Sequence, residues 1–349
     1  MAPERAYRAS SKGFSARIKR PHRRTVRPRM AGIPMASGGA HLPAALMNTL
    51  HLTFDPSVGS PQTLRERPFL EALLAAAQAA PEWPQWFRSV VVVSAHRQHH
   101  TWPALDAASP PILIVALGDE NGQVRPELRA RGAALLQSYV STHHKPGPPV
   151  LRLPLGPGPA TAPPVSVPWA ERSVDVAFLG HLHARRWDFA RSLNAVRPVF
   201  RHLPDRALPL VRPWALQHVS AAPFRFHIQW TRRFGNGIDH PTYLSLLAQT
   251  RIALVPRGFK QIETFRHHEA ARAGCVMVGA PLAPYPVIPG PQHGSLLDRL
   301  RALLNAPDTL EQHHRAVQQA WRQHGTPSAV GRFLAAELGR RMSKQPPSP

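Results

Sequence analysis

One stretch of the chain gathers the residue types that hold a phosphorylated ligand. From position 251 to 279 it reads Arg-Ile-Ala-Leu-Val-Pro-Arg-Gly-Phe-Lys-Gln-Ile-Glu-Thr-Phe-Arg-His-His-Glu-Ala-Ala-Arg-Ala-Gly-Cys-Val-Met-Val-Gly. A diphosphate needs backbone N–H groups, a helix N-terminus and one or two arginines. Here Arg257, Lys260 and Arg266 supply cations, Gly258 allows close backbone approach, and Thr264 is a suitable N-cap. Glu269 stands three residues after Arg266, on the same side of a helix. A carboxylate there can accept both hydroxyl protons of a ribose, as acidic residues do in dinucleotide sites. The same spacing also suits a plain Arg266–Glu269 ion pair, worth little.

A matching basic loop lies upstream, where Gly180-His181-Leu182-His183 runs into Arg185-Arg186. Gly180 and His181 (or His183) are placed to touch phosphate or sugar, and Arg185 and Arg186 open a helix. Asp119-Glu120 follows an apolar run, at the edge of a sheet where ligands bind. Either carboxylate could deprotonate an acceptor hydroxyl as a catalytic base, or simply form an exposed turn. Histidine pairs recur among the 20 histidines, but none has zinc spacing with cysteine partners or the His-Glu-x-x-His pattern, so no metal site is expected. The one cysteine, Cys275, excludes an internal disulfide framework and reads as core. Walker A, nucleophile-elbow and Gly-x-Gly-x-x-Gly patterns are absent. Gly156-Pro157-Gly158 is no phosphate loop, because proline removes an N–H that such a loop needs.

The elements around these residues alternate strand and helix. Ile252–Val255 and Cys275–Val278 read as strands joined by a helix from Phe265 to Ala273, closed by Gly274. That crossover makes the strands parallel neighbours in an α/β sheet. Val174–Leu179 and Phe224–Trp230 add strands, Arg185–Val196 and Thr242–Gln249 helices. Helices follow near Ser295–Leu304, Leu310–His324 and Ser328–Arg341. Earlier in the chain, Pro68–Ala80 predicts a helix, Val90–Ser94, Ile112–Leu117 and Val150–Leu153 strands, and Arg125–Tyr139 a further helix. Trp83, Trp86 and Phe87 read as packing aromatics. The expected organisation is a basic unstructured tail over residues 1–45, an acceptor-side α/β domain over 46–150, and a Pro/Gly-rich connector over 151–170. A nucleotide-binding domain then spans 171–342, with an unstructured end at 343–349.

The block Tyr243-Leu-x-x-Leu-x-x-x-Arg-x-x-Leu-x-Pro256-x-Gly258, then Thr264-x-Arg266-x-x-Glu269-Ala270-x-x-x-Gly274-Cys275-x-x-Val278, resembles exostosin-like glycosyltransferases. Phe178-Leu179-Gly180 with Arg185-Arg186, and Pro154-Leu155-Gly156, are similar to that family's nucleotide-domain opening and interdomain connector. The resemblance is strongest over Val174–Val278. It implies a GT-B-like α/β fold of two Rossmann-like, doubly wound domains facing a cleft. It further implies transfer from a nucleoside diphosphate-sugar donor, metal-independent and with inversion, in polysaccharide biosynthesis. By position, Arg185 or Arg186 and Arg266 would hold the diphosphate and Glu269 the ribose. His267-His268 departs from the apolar residues usual there.

The formal net charge of +23, from 43 Lys and Arg against 20 Asp and Glu, favours anionic partners. The partners expected are the nucleotide-sugar donor, a saccharide or lipid-linked glycan acceptor, and an anionic membrane surface as a peripheral contact. No cofactor is expected beyond the donor as co-substrate. A basic nucleic-acid-binding protein is the alternative, though no helix-turn-helix, RNA-recognition or zinc pattern accompanies the charge; a non-catalytic glycan-binding relative is another. No apolar run approaches a membrane span, and the first thirty residues lack the apolar segment of a secretory signal, so a cytoplasmic, membrane-peripheral location is expected.

Overall fold

The computed structural model describes residues 50, 52–59, 64, 66–96, 99–118, 123, 125–139, 148–157, 167–183, 186–231, 238–258, 260–291 and 294–343. All of them belong to one compact unit, Asn48–Pro349. The expected tail and C-terminal end therefore lie almost wholly outside the described residues, as does the middle of the Pro/Gly-rich connector.

The unit contains two five-stranded sheets. The first is built from β1 (Leu52–Phe54), β2 (Ser89–Ser94), β3 (Ile112–Leu117), β4 (Ala134–Gln137) and β5 (Val150–Arg152), side by side in chain order and all parallel. The second is built from β6 (Val174–His181), β7 (Phe226–Thr231), β8 (Thr250–Val255), β9 (Val276–Gly279) and β10 (Ile288–Pro289), in the order β10-β9-β8-β6-β7, again all parallel. Two parallel α/β sheets are what the alternating pattern predicts; the second reverses its strand order at β6, as a doubly wound sheet does, whereas the first runs in chain order.

Both sheets are covered on both faces, which is why their strands are nearly unbroken apolar runs. In the first sheet Val90, Val92, Leu113, Val115 and Leu136 face α1 (Arg67–Gln78). Their alternates Val91, Val93, Ile112 and Ile114 face α2 (Pro103–Asp106) and α3 (Pro126–Arg131) through Trp102, Leu105 and Leu128. In the second sheet Val176, Phe178, Ile252, Leu254, Val276 and Val278 face α4 (Trp187–Ser192), α5 (Leu208–Ala215) and α8 (Leu296–Leu304). Ala253, Val255, Cys275 and Met277 face α6 (His240–Ala248), α7 (Phe265–Arg272) and α9 (Pro307–Ala320).

The last helix, α10 (Pro327–Met342), follows the second half in sequence but packs on the first. Val330, Leu334, Leu338 and Met342 join the core around α1, and Gly331 lies so close that a Cβ would meet the Leu73 carbonyl. The single helix expected over Arg125–Tyr139 is instead α3 followed by β4. Gly132 is extended, its surroundings leave no room for a Cβ, and Leu135–Leu136 enter the sheet between β3 and β5. Burial on both sheet faces outweighs their helical propensity.

Candidate functional site

The second sheet changes its direction of growth at β6. β7 is added on one side of β6 and β8 on the other, so the loops leaving β6 and β8 diverge beyond their carboxyl ends. That is where an open α/β sheet has a ligand crevice. Of the predicted residues, Gly180 and His181 end β6, Arg186, Arg257, Gly258 and Thr264 lie on these two loops, and Arg266 and Glu269 lie on α7.

Arg266, in the first turn of α7, reaches back across the end of β6. Its Nε donates to the Leu179 carbonyl at 2.8 Å, and its guanidinium carbon stands 5.4 Å from the Phe178 ring centre. Gly180 makes room for it, since a Cβ there would overlap the guanidinium. A half-buried cation is thus fixed between β6 and α7, with the positive end of α7 beside it.

Glu269 is one turn further along and is buried. It does not pair with Arg266; its Oε1 lies 3.2 Å from His240 Nε2 at the start of α6. Burial, and then the Glu269 carboxylate, push the Tyr243 phenol well above its ordinary pKa, so Tyr243 keeps its proton and donates it toward Glu269. Tyr243 feels both Glu269 and Arg266, so α6 joins the two residues that the spacing argument paired directly. His240 escaped the sequence reading because that reading began the helix at Thr242. The N-cap Asp239, whose Oδ1 accepts from Thr242 N–H at 3.0 Å, was the signal for an earlier start.

Arg186 ties the two loops together. Its Nε and Nη2 donate to the Arg257 carbonyl at 3.1 and 3.0 Å and its Nη1 to the His181 carbonyl at 3.0 Å, with the side chain buried. Arg257 itself is exposed, as is Lys260. Gly258 is pressed against the Gln261 carbonyl and the Thr264 methyl, leaving no space for a side chain. Thr264 caps α7 with His267: the Thr264 N–H donates to His267 Nδ1 at 3.2 Å, and His267 Nε2 donates to the Ala280 carbonyl at 3.0 Å. That arrangement holds a neutral ring, and burial pushes its pKa down to about 4, beyond what the bond to Ala280 restores. His181 is half-buried and His183 buried, with ring centres 5.9 Å apart. Asp119, Glu120 and Arg185 lie outside the described residues.

A carboxylate that sequence reasoning passed over stands in the loop before α7. Glu263 is buried, with Oε2 2.6 Å from Arg152 Nη2 and Oε1 accepting from Leu155 N–H at 3.0 Å. His268 Nε2 donates to the same Oε1 at 2.7 Å, and its Nδ1 is 3.0 Å from the Tyr285 hydroxyl. Burial alone would raise the Glu263 pKa. The His268 hydrogen bond and the attraction of His268 and Arg152 overcome it and hold the carboxyl down to about 2. The polar residues at 267–268, a departure from the exostosin pattern, are thus used internally, one for the cap and one for this network. No sequence signal singled out Glu263, because two of its three partners, Arg152 and Leu155, lie more than a hundred positions away.

Among the described residues no three His, Cys, Asp or Glu side chains come together as metal ligands, and no helix is long and apolar enough to cross a membrane. Cys275 is buried, its thiol pushed up to about 11 by burial.

No family model matches the chain, and no curated protein matches it. Solved structures do. An alpha-glucosyltransferase in complex with UDP-glucose and DNA containing an abasic site is 9% identical, with 78% of this chain and 83% of that chain covered at a TM-score of 0.42. The alpha-glucosyltransferase AGT in complex with UDP is 11% identical, covering 71% and 80% at 0.41. The OtsA apo structure is 12% identical, covering 81% and 78% at 0.40. Likeness at this level assigns neither ligand nor residue to this chain.

Proposed function

We propose that the protein is a glycosyltransferase that binds a nucleoside diphosphate-sugar at the carboxyl edge of its second sheet and transfers the sugar to a hydroxyl of a saccharide or lipid-linked glycan. One observation carries the reading: Arg266 is held at the end of β6, beside the N-terminus of α7, where the strand order reverses. A fixed cation and a helix dipole at a switch point suit a diphosphate. The exostosin-like pattern of Tyr243–Val278 supports it.

In this reading Arg266, the exposed Arg257 and the first turn of α7 take the diphosphate. Glu269, oriented by His240 and Tyr243, takes the ribose, and Arg186 fixes the two loops rather than touching ligand. The bond between the anomeric carbon and the phosphate oxygen breaks, and the acceptor oxygen forms a bond to that carbon from the opposite face, with inversion. The acceptor proton passes to a carboxylate, for which Asp119 or Glu120 after β3 is proposed, and the diphosphate leaves against Arg266 without need of a metal. The test is incubation with a panel of nucleotide sugars, following diphosphate release and binding. Binding lost in Arg266→Ala and Glu269→Ala is the expected result; binding unchanged in both overturns the assignment.

A further inference from the structure

Five large hydrophobic side chains are strongly exposed among the described residues, and three fall within one segment: Val199 at 75%, Leu210 at 79% and Trp214 at 62%. Leu210 and Trp214 are four apart on α5 and share its outer face, while Leu208 and Ala215 on the inner face are fully buried in the core of the second half. The turn carrying Val199 is set beside the end of α5, because Arg197 N–H donates to the Ala215 carbonyl at 2.8 Å.

The charge around this surface is one-sided. Between positions 197 and 212 the chain has four arginines, Arg197, Arg201, Arg206 and Arg212, against one carboxylate, Asp205. Asp205 is already paired with Arg191 at 2.7 Å. Arg197 and Arg206 are exposed, and Arg201 bonds the Val196 carbonyl and the Asn194 amide oxygen.

We infer that this face docks on an anionic lipid bilayer, with Leu210, Trp214 and Val199 entering the headgroup–acyl boundary and the arginines lying at the phosphate level. A tryptophan and aliphatic side chains on an arginine-rich segment are what an interfacial segment presents. A nucleic acid would satisfy the arginines but offer nothing to Leu210 and Val199. Arg212 Nη2 donates to the Thr231 carbonyl at 2.7 Å, and Thr231 is in register with His181, so the face adjoins the carboxyl edge of the second sheet. Bilayer docking is measured without any donor, so its outcome is separate from that of the transfer reading.

The experiment is co-sedimentation of the full chain with vesicles of phosphatidylcholine mixed with phosphatidylglycerol, and of phosphatidylcholine alone, over a salt series. Docking predicts binding to the mixed vesicles only, weakening with salt, and a fall of about tenfold or more in the Leu210→Ser/Trp214→Ser variant. Both positions are exposed, so the variant should melt as the parent does. Tryptophan quenching by bromine-labelled mixed vesicles should be largely lost in Trp214→Phe. Equal sedimentation of parent and double variant would overturn the inference by leaving all binding to the basic N-terminal segment. Quenching unchanged in Trp214→Phe would overturn it too, as would a parent dimer that the double variant turns into monomer.

Discussion

Arg152 Nη2 and Glu263 Oε2 are 2.6 Å apart, joining the last strand of the first sheet to the loop that leads into α7 of the second. The Glu263 side chain also receives the Leu155 N–H and His268, so one buried carboxylate fixes the connector and the approach to the candidate site together. Replacing it by an isosteric amide keeps the shape but sets an NH₂ donor where Glu263 now only accepts. Glu263→Gln should cost about 2 kcal/mol of stability, moderated because Arg152 is half-exposed and can turn to water. Chemical denaturation of parent and variant measures this; a variant as stable as the parent would show that the junction is not held this way.

Acid should unfold the protein in two overlapping windows. His267 has its folded pKa depressed from 6.5 to about 4, so the unfolded chain takes up its proton first, and stability present above pH 6.5 is lost as the pH falls toward 4. Glu263 is depressed from 4.5 to about 2, so its contribution is present above 4.5 and lost as the pH falls toward 2. Denaturation midpoints measured from pH 8 to 3 should fall in both intervals. In Glu263→Gln the lower fall should shrink while the upper one remains.

Gly180→Ala should separate ligand binding from folding. The added methyl overlaps the Arg266 guanidinium, the far end of a flexible side chain that can swing aside, and stands 3.0 Å from the Phe178 ring, which must give slightly. Arg266 would then lose its bond to the Leu179 carbonyl and its place at the end of β6. Affinity for a nucleoside diphosphate should drop roughly tenfold, the worth of one charge-assisted bond, with only a small downward shift of the melting curve. Calorimetric titration reads the first and thermal unfolding the second.

Arg172→Met should do the reverse. Arg172 is buried at the other end of the second sheet, donating to Thr250 O at 2.6 Å and Ala273 O at 2.7 Å with its guanidinium over Trp169. Removing it leaves two buried carbonyls without that donor, a loss of about 2–4 kcal/mol. Nucleotide affinity, measured well below the melting temperature, should stay as in the parent.

The strands were legible because burial on both faces writes apolar runs into the chain. Ile112–Leu117 and Val174 onward could be read directly, and Gly274, with φ of +67°, closes α7 as its position suggested. Gly132 and the leucines after it were not, because in a central strand such a run does not differ in type from a helix segment. Around the candidate site, the residues read from local spacing, Gly180, Gly258, Thr264, Arg266 and Glu269, are brought together at the carboxyl edge of β6 and the start of α7. Those acting through distant partners were not legible. Glu263 and His240 look like ordinary loop and helix-start residues until β5 and α7 bring their partners to them.

The two central residues should divide the nucleotide between them. Arg266 is a cation held at the end of β6, so Arg266→Ala should weaken nucleoside diphosphates by about tenfold or more while leaving the free nucleoside nearly unaffected, and the lost part should be the salt-sensitive part. Glu269 is a buried acceptor held by His240, with the protonated Tyr243 phenol beside it. If it takes the ribose, the parent should prefer ribonucleoside diphosphates to their 2′-deoxy forms, and Glu269→Gln should erase the preference while keeping the salt dependence. Titration of parent and both variants with matched ribo and deoxy ligands measures each. If Arg266→Ala erases the ribose preference, or Glu269→Gln the salt dependence, the two roles are misassigned.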